Sequence, residues 1–256
     1  DGLVARLTDG APTYDFVAPD GIQHALWVID HAEDRDALVD AFRSVPELYV
    51  ADGHHRSAAA VRIRAARRDA DPNHTGEEPY NFFLAVLFPD DQMKILDYNR
   101  VVADLNGRTV DAHLSEVAER FDVARVELGR PTRHNTFGMY LAGHWYLLTA
   151  RPGTYPDQDP VQGLDVAILQ DNLLAPVLGI GDPRTDQRID FVGGIRGLEE
   201  LERLVDSGQW AVAFALYPTS ISQLFAVADA GKVMPPKSTW FEPKLRSGLI
   251  VRPLED

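Results

Sequence analysis

The chain has 256 residues, of which 45% are hydrophobic and 25% are charged, and its formal net charge is −14. These values are ordinary for a globular protein of one or two domains, the apolar runs are too short to span a membrane, and the absence of cysteine excludes disulfide and thiolate chemistry. The acidic charge weighs against nucleic acid as a partner. We expect a cytoplasmic protein that has no membrane partner.

The first part of the chain predicts strands that alternate with helices. Residues 24–30 and 47–52 are short apolar runs that predict strands. Residues 34–45 carry apolar side chains at helical spacing, with Asp34 as the expected cap. Residues 55–70 are rich in Ala and Arg, which favour a helix.

The middle of the chain predicts two hairpins. The most strongly predicted strand is YNFFLAVLF at 80–88, and MKILDYNRVV at 93–102 is its expected partner across a turn. A helix is predicted at 111–121. A second hairpin then follows, and it is expected to turn at Ala142 and Gly143.

A segment rich in Pro, Gly and Asp at 151–163 is the predicted boundary between residues 1–150 and residues 151–256, which pack together or form one domain. Beyond it the sequence predicts helices at 164–178, 197–206 and 220–230, strands at 188–192 and 210–216, and a loop at 233–248. Hairpins mixed with strand–helix units indicate an α/β fold class (α+β) with a mixed sheet.

One stretch, YVADGHHRSAAA at 49–60, concentrates chemically active side chains at a predicted strand-to-helix turn. Gly53 permits a left-handed turn, and the unpaired N–H groups of the following helix attract anions. Arg56 offers a two-pronged contact to phosphate, while Asp52, His54 and His55 are candidates for proton transfer. We therefore predict a phosphate-binding turn. The alternatives are a turn in which Asp52 only caps the helix, and a metal site formed by Asp52 and His54.

Other segments supply further candidates for the same anion. The strand end at 97–102 and the proline-stiffened loop at 233–248 both carry amide, hydroxyl and cationic side chains. The alternative without a ligand is an exposed strand end for residues 97–102 and a carboxy-terminal segment that covers the edge of the core for residues 233–248. Magnesium, carried in with a nucleotide, would bind Asp52. The additional phosphate-binding candidates are Ser57, Asn99, Arg100, Lys237, Ser238, Thr239 and Lys244.

Five segments together resemble the DUF1015 family of uncharacterised proteins. They are ADGHHRSAAA, NFFLAVLFPDDQMKILDYNRVV, LQDNLLAPVLGI, RIDFVGG and MPPKSTWFEPKLRSGL, and the resemblance runs from about Tyr14 to Leu249. Members of that family are usually longer at the N-terminus, so we expect a leading segment to be absent here. This resemblance implies a family but no activity.

The turn itself is similar to the phosphate-binding turn of the ParB/sulfiredoxin superfamily, in which a strand, a Gly–His/Arg–Arg turn and a helix hold nucleotide phosphates. The similarity covers about twenty residues. It implies a ParB/sulfiredoxin-like core in residues 1–150, a nucleotide as cofactor, and Gly53, His54, His55 and Arg56 as anion ligands. Because the superfamily includes free-serine kinases, serine or phosphoserine is the implied substrate.

The leading hypothesis is a phosphoryl-transfer enzyme, either a kinase or a phosphatase, that acts on a small phosphorylated metabolite. Arg100 and Lys237 would neutralise charge on the phosphoryl oxygens. The first alternative is a non-catalytic nucleotide-binding regulatory module, and the second is a ParB-like protein associated with nucleic acid. The basic side chains for that second alternative are Arg62, Arg64, Arg67 and Arg68.

Overall fold

The structure is a computed structural model that describes residues 1–246 and 248–253. It contains helices and antiparallel sheets, which confirms the mixed α/β class. The chain divides into two compact units, Asp1–Val50 and Ala51–Asp256. No helix within the described ranges combines the length and the apolar character that a membrane crossing requires.

The first unit contains two helices and one hairpin: α1 (Gly2–Leu7), β1 (Tyr14–Val17), β2 (Gln23–Leu26) and α2 (Ala32–Arg43). The predicted strand at 24–30 is therefore shorter than expected and pairs with β1 in antiparallel register. Helix α2 begins after His31 rather than at Asp34. Asp34 instead accepts a hydrogen bond from the Arg6 guanidinium at 3.1 Å.

The second unit holds five helices and eight strands within the described residues, together with one π-helical turn, Gln170–Leu174. In chain order they are α3 (His54–Ala70), β3 (Lys94–Leu96), β4 (Tyr98–Val102), α4 (Val110–Val117), β5 (Phe121–Val126), β6 (Thr136–Leu141), β7 (His144–Ala150), α5 (Asp165–Leu169), β8 (Ile189–Gly193), α6 (Gly197–Asp206), β9 (Val212–Leu216), α7 (Ile221–Asp229) and β10 (Trp240–Glu242).

Six of these strands form one antiparallel sheet in the order β5-β7-β6-β9-β4-β8. Successive side chains point to opposite faces of the sheet, so Val102 joins the core beneath α4, α5 and α7, whereas Val101 joins the core beneath α6. Residue 150 ends β7, and strands from both sides of it pair in this sheet. The predicted boundary near 150 thus falls inside a sheet.

The hairpin of β6 and β7 confirms its sequence prediction. Its turn residues, Ala142 and Gly143, have φ values of 51° and 78°. Two consecutive positive φ angles match the turn that the right-handed twist of two antiparallel strands requires. Six further predicted elements of this unit lie within a few residues of α3, α4, α6, α7, β8 and β9.

Two predicted strands are absent from the described structure. Residues 47–52 form no strand, and residues 80–88 contain a short 3-10 turn followed by irregular backbone. Residues 93–102 do not form the expected hairpin, because β3 pairs with β10 and β4 lies between β8 and β9. The apolar run at 82–88 is consequently solvent-exposed along its length.

Two further predictions change near the C-terminus. The helix expected at 164–178 is a five-residue α5 that continues directly into the π-helical turn. The segment predicted to be loop at 233–248 contains β10, whose register aligns Phe241 with Ile95 of β3. Both of these side chains are buried, so the edge strand closes over apolar surface.

Candidate functional site

The turn before α3 leaves the first N–H groups of the helix open. Gly53 is the residue before the helix, and its φ of 90° lies in the left-handed region that favours glycine. A glycine has no side chain with which to cap a helix. Within the described ranges, no side chain accepts a hydrogen bond from the N–H groups of His54, His55 or Arg56. The helix therefore presents its positive end to solvent.

Asp52 lies between two cations at this turn. Its Oδ2 is 4.0 Å from Nη2 of Arg56 and 3.7 Å from Nζ of Lys244, while its Oδ1 accepts the Gly53 N–H at 2.8 Å. The Gly53 amide, which we predicted would bind phosphate, is thus engaged by the neighbouring carboxylate. The Asp52 and Arg56 side chains are 64% and 81% exposed. Ion pairs this exposed contribute little stability, so an anionic ligand can compete for Arg56 and Lys244.

The rings of Trp240 and Tyr98 lie between Lys244, which contacts Asp52 at the turn, and Lys237. Lys244 Nζ lies 5.6 Å from the ring of Trp240, and Trp240 packs edge-on against Tyr98 with ring centroids 5.4 Å apart. Lys237 Nζ is 5.5 Å from the Tyr98 ring. Glu242 fixes this arrangement, since it accepts hydrogen bonds from the Trp240 indole and from the Lys244 backbone. Two predicted lysines are therefore held on one aromatic pair.

Arg100 lies beneath Lys237 and is only 4% exposed. Its guanidinium donates hydrogen bonds to the backbone carbonyls of Tyr98 and Lys237, the latter at 3.1 Å. Lys237 itself has a φ of 55°, a left-handed conformation that is uncommon for lysine. Burial lowers the pKa of Arg100 to about 9. The side chain is therefore a desolvated cation at the end of the site rather than a surface arginine.

Asn99 is occupied by structural hydrogen bonds. Its side chain is fully buried, its Nδ2 donates to the Asp97 carboxylate at 2.6 Å, and its Oδ1 accepts the Leu216 N–H at 3.0 Å. These bonds tie β4 to the end of β9. The carboxamide therefore fixes the strand that carries Tyr98 and Arg100. Because its nitrogen and its oxygen are both engaged in these hydrogen bonds, the geometry does not favour Asn99 as a direct phosphate ligand.

The hydroxyl residues of the predicted site also differ in availability. Ser238 is buried and donates to the Pro235 carbonyl at 2.6 Å, which closes the loop that carries Lys237. Thr239 is half-buried beside it. Ser57 is half-buried in the first turn of α3, where its N–H donates to the Gly53 carbonyl. Ser238 therefore shapes the loop.

The geometry gives no three-ligand metal centre. In residues 1–246 and 248–253, no group of three His, Asp or Glu side chains lies close enough to hold an ion. Asp52 is one carboxylate flanked by two cations, a surrounding that favours an anion over a metal. Binding of magnesium to Asp52 thus stays a prediction, in which the ion binds together with the phosphates of a nucleotide.

Sequence reasoning missed a cavity of about 420 Å³ that Arg100 helps to line. Its other walls come from α5, the π-helical turn, residues 181–184 and the two prolines before Lys237. These segments are far apart in sequence. Three segments of the family resemblance contain lining residues: NFFLAVLFPDDQMKILDYNRVV, LQDNLLAPVLGI and MPPKSTWFEPKLRSGL. Their spacing does not show that they meet, and the π-helical turn in the second leaves no periodic pattern.

Comparisons with known proteins identify a family but no activity. A family model described as "Protein of unknown function (DUF1015)" matches residues 1–167. No curated protein matches the chain. Among solved structures, similar folds include a free serine kinase in complex with AMP, with 11% identity, a TM-score of 0.37 and coverage of 83% of this chain and 81% of that one. A likeness at this level transfers neither ligand nor activity.

Two further solved structures lie at the same distance. A mutant of the free serine kinase in complex with AMP is 12% identical, with a TM-score of 0.40 over 83% of this chain and 81% of that chain. A conserved hypothetical protein from Pyrococcus furiosus is also 12% identical, with a TM-score of 0.39 over 80% of this chain and 81% of that chain.

Proposed function

The chain belongs to the DUF1015 family, and from the arrangement of its own residues we propose that it is a phosphoryl-transfer enzyme, a kinase or a phosphatase, that acts on a small metabolite. The observation that carries the proposal is the turn before α3. There, open helix N–H groups, Arg56 and Lys244 surround one carboxylate, Asp52. These are donors suited to a phosphoryl group beside a base suited to a hydroxyl.

The phosphoryl group would bind at the N-terminus of α3. Its oxygens would accept hydrogen bonds from the N–H groups of the first turn, and the Arg56 guanidinium would make a charge-assisted contact. Lys244 and Lys237, held on the Trp240–Tyr98 pair, would neutralise the charge that spreads over the oxygens in the transition state. A nucleotide and its magnesium ion would supply the phosphoryl group in the kinase direction.

In the transfer step, either Asp52 or His54 would act as the general base. In the kinase direction, the hydroxyl of the acceptor, for which serine is our best candidate, gives its proton to one of these side chains. The hydroxyl oxygen then bonds to the terminal phosphorus, and the nucleoside diphosphate leaves with the electron pair of the broken P–O bond. In the phosphatase direction, water replaces the acceptor and phosphoserine is the substrate.

One observation favours the non-catalytic alternative. Both oxygens of Asp52 already have partners, the Gly53 N–H on one side and two cations on the other, so an acceptor hydroxyl would have to compete with these contacts to reach the carboxylate. A regulatory module that binds nucleotide without turnover would have this geometry. His54 would then be one more donor to the phosphates.

Asp52→Asn separates the two functions. An asparagine oxygen still accepts the Gly53 N–H, so the turn is expected to persist and the affinity for ADP to stay equal or rise as a negative charge disappears. For an enzyme that uses this base, turnover of ATP with L-serine, or of O-phosphoserine, would fall by about 10²–10⁴-fold. Calorimetry with ADP and phosphorus NMR measure both quantities.

The outcomes of that experiment are distinct. Wild-type turnover with loss in the variant supports the enzyme, and unchanged turnover in Asp52→Asn removes this residue as the base. Nucleotide binding without turnover in the wild-type protein, at saturating magnesium and with each substrate, supports the regulatory module instead. Asp69→Asn serves as the matched control, since it removes an exposed carboxylate at the other end of α3, far from the proposed base.

A further inference from the structure

The cavity beside Arg100 has the properties of a binding site for a small molecule. Its volume, about 420 Å³, lies in the lower part of the range of small-molecule sites. Apolar walls come from Val166, Ala167, Pro235 and Pro236, and four of the thirteen lining residues are charged. Apolar walls with a small number of placed charges are typical of a pocket that orients one compact ligand.

Arg100 brings an uncompensated positive charge to this cavity. Its two hydrogen bonds go to the backbone carbonyls of Tyr98 and Lys237, and its guanidinium lies 5.3 Å from the centre of the Phe191 ring. In the part of the chain that the structure describes, no carboxylate lies within 4 Å of it. Buried charges in proteins are normally paired, and a guanidinium has five N–H donors, so this arrangement calls for an anionic ligand group.

Three other charged residues line the cavity, and two of them form an ion pair with each other. Arg184 donates to the Asp182 carboxylate through two nitrogens, at 3.0 and 2.9 Å, and these two charges neutralise each other. Asp171 is exposed and also lines the cavity. The Arg120 guanidinium donates to its backbone carbonyl at 3.4 Å, but among residues 1–246 and 248–253 no cationic side chain forms an ion pair with its carboxylate. The cavity thus carries one unpaired cation, Arg100, and one unpaired anion, Asp171.

The position of Asp171 depends on the π-helical turn that follows α5. The turn Gln170–Leu174 widens the helix, and the Gln170 side chain holds it in place by donating to the carbonyls of Ile180 and Gly181 at 2.8 and 3.2 Å. Inserted π-helical turns occur frequently at functional sites. The rim of the cavity is therefore fixed by hydrogen bonds that do not use the Asp171 carboxylate.

We propose that this cavity binds a free α-amino acid as its zwitterion, with the carboxylate on Arg100 and the ammonium group on Asp171. A phosphate dianion would bring two negative charges to a single guanidinium and would also face Asp171. A carboxylic acid without an amine would leave Asp171 unpaired. The apolar walls and modest volume select a small, uncharged side chain.

This inference changes the role that we predicted for Arg100, from phosphate ligand to carboxylate ligand. That the bound amino acid is the phosphoryl acceptor rests on the proposed function. The binding itself does not, because it requires neither a nucleotide nor the turn before α3. The two proposals can therefore fail separately.

Calorimetry without nucleotide tests the binding with three matched probes. L-Serine carries both charged groups, glycerate lacks the ammonium group, and ethanolamine lacks the carboxylate. We expect serine to bind and each of the other two to bind at least about tenfold more weakly, because each leaves one charge of the cavity unpaired. Glycerate binding as tightly as serine, or inorganic phosphate displacing bound serine from the protein, would overturn the proposal.

Two variants assign the charges to their residues. Asp171→Asn, at an exposed position, is expected to weaken serine binding about tenfold and to leave glycerate unaffected, whereas Asp111→Asn on α4 is the matched control. Arg100→Lys keeps the charge but loses the planar fork, and should weaken serine about tenfold. Unchanged serine affinity in Asp171→Asn would refute the site even if the Arg100 variant fails to fold.

The failure of each proposal has its own signature. Serine binding that disappears in Asp171→Asn, in a protein that transfers no phosphoryl group, would keep the amino acid site and remove the enzyme. Phosphoryl transfer that is lost in Arg56→Ala, together with no detectable serine binding to the cavity, would keep the enzyme and remove the amino acid site.

Discussion

Replacing Arg56 with alanine is expected to lower phosphoryl transfer, measured with ATP and L-serine or with O-phosphoserine, by about 10²–10³-fold. The guanidinium lies at the turn itself, since its Nη2 is 3.2 Å from the position that a Cβ on Gly53 would occupy, and no backbone donor can replace its charge. Because the side chain is 81% exposed and its pairing with Asp52 is weak, the free energy of unfolding should change by less than about 0.5 kcal/mol. Urea denaturation and phosphorus NMR measure the two effects.

Two controls give this prediction its meaning. Arg62→Ala removes an exposed arginine from the same helix, two turns away from the turn, and should leave turnover unchanged. Arg56→Lys keeps the positive charge but not the two-pronged geometry, so its turnover should lie between those of the wild type and Arg56→Ala. Wild-type turnover in Arg56→Ala would show that the phosphoryl group binds elsewhere.

Acid is expected to destabilise the second unit through His113. This side chain on α4 is fully buried, and neither ring nitrogen has a hydrogen-bond partner in the described structure. Burial, with a smaller effect from Arg108, lowers the pKa of His113 from 6.5 to about 4. The folded protein therefore binds this proton more weakly than the unfolded chain does.

The sign of the effect follows from linkage. Above pH 6.5 the histidine is neutral in both states, and the stability it contributes is complete. As the pH falls from 6.5 towards 4, the unfolded state takes up a proton that the folded state resists, so the free energy of unfolding decreases by about 3 kcal/mol. Urea denaturation at a series of pH values measures this loss.

His113→Leu isolates that effect from the titration of the acidic residues, because both proteins share every carboxylate. At pH 7 the variant should be more stable by about 1 kcal/mol, since a buried polar ring without partners is replaced by an apolar side chain. The difference between the variant and the wild type should then widen as the pH falls to 4. A difference independent of pH would mean that His113 does not titrate in this way.

Local sequence signals predicted the parts of the fold that local interactions determine. The Ala- and Arg-rich run predicts α3, and the position of Ala142 and Gly143 between two apolar runs predicts the turn of the β6–β7 hairpin. Of these two turn residues only Gly143 favours the positive φ that both adopt. The turn at Gly53 belongs to the same class, because glycine alone accepts its left-handed conformation without strain.

Strand pairing could not be predicted in the same way. The run at 80–88 has the composition of a strand, but a strand forms only with a partner. β4 pairs instead with β8 and β9, whose residues Phe191 and Phe214 lie opposite Arg100 and follow it by 91 and 114 residues. Hydrophobicity and β-propensity contain no information about which distant segment becomes the neighbour. The same limit hid the pairing of β3 with β10.

The site shows a similar division. The sequence predicts the residues of the turn because their chemistry is concentrated in five positions. It predicts Arg100, Lys237 and Lys244 because they lie in a polar loop and at a strand end. Their connection through the rings of Tyr98 and Trp240 is a tertiary contact that spacing does not reveal. The roles of these residues in binding and catalysis stay predictions.

Asn99 and Ser238 show why residue type alone assigns roles poorly. Both have groups that bind phosphate in many proteins, yet here each satisfies buried backbone or side-chain partners. Whether a polar group is available to a ligand depends on what the fold has already paired with it. That information exists only in three dimensions.

The most direct measurement of the central claim follows the backbone amide resonances of the isotope-labelled protein during a titration with ADP. If the N-terminus of α3 binds a phosphate group, the amides of His54, His55 and Arg56 should show the largest shifts, and the Arg56→Ala variant should abolish them. Saturation with ADP that shifts other amides and leaves these three unmoved would contradict the account.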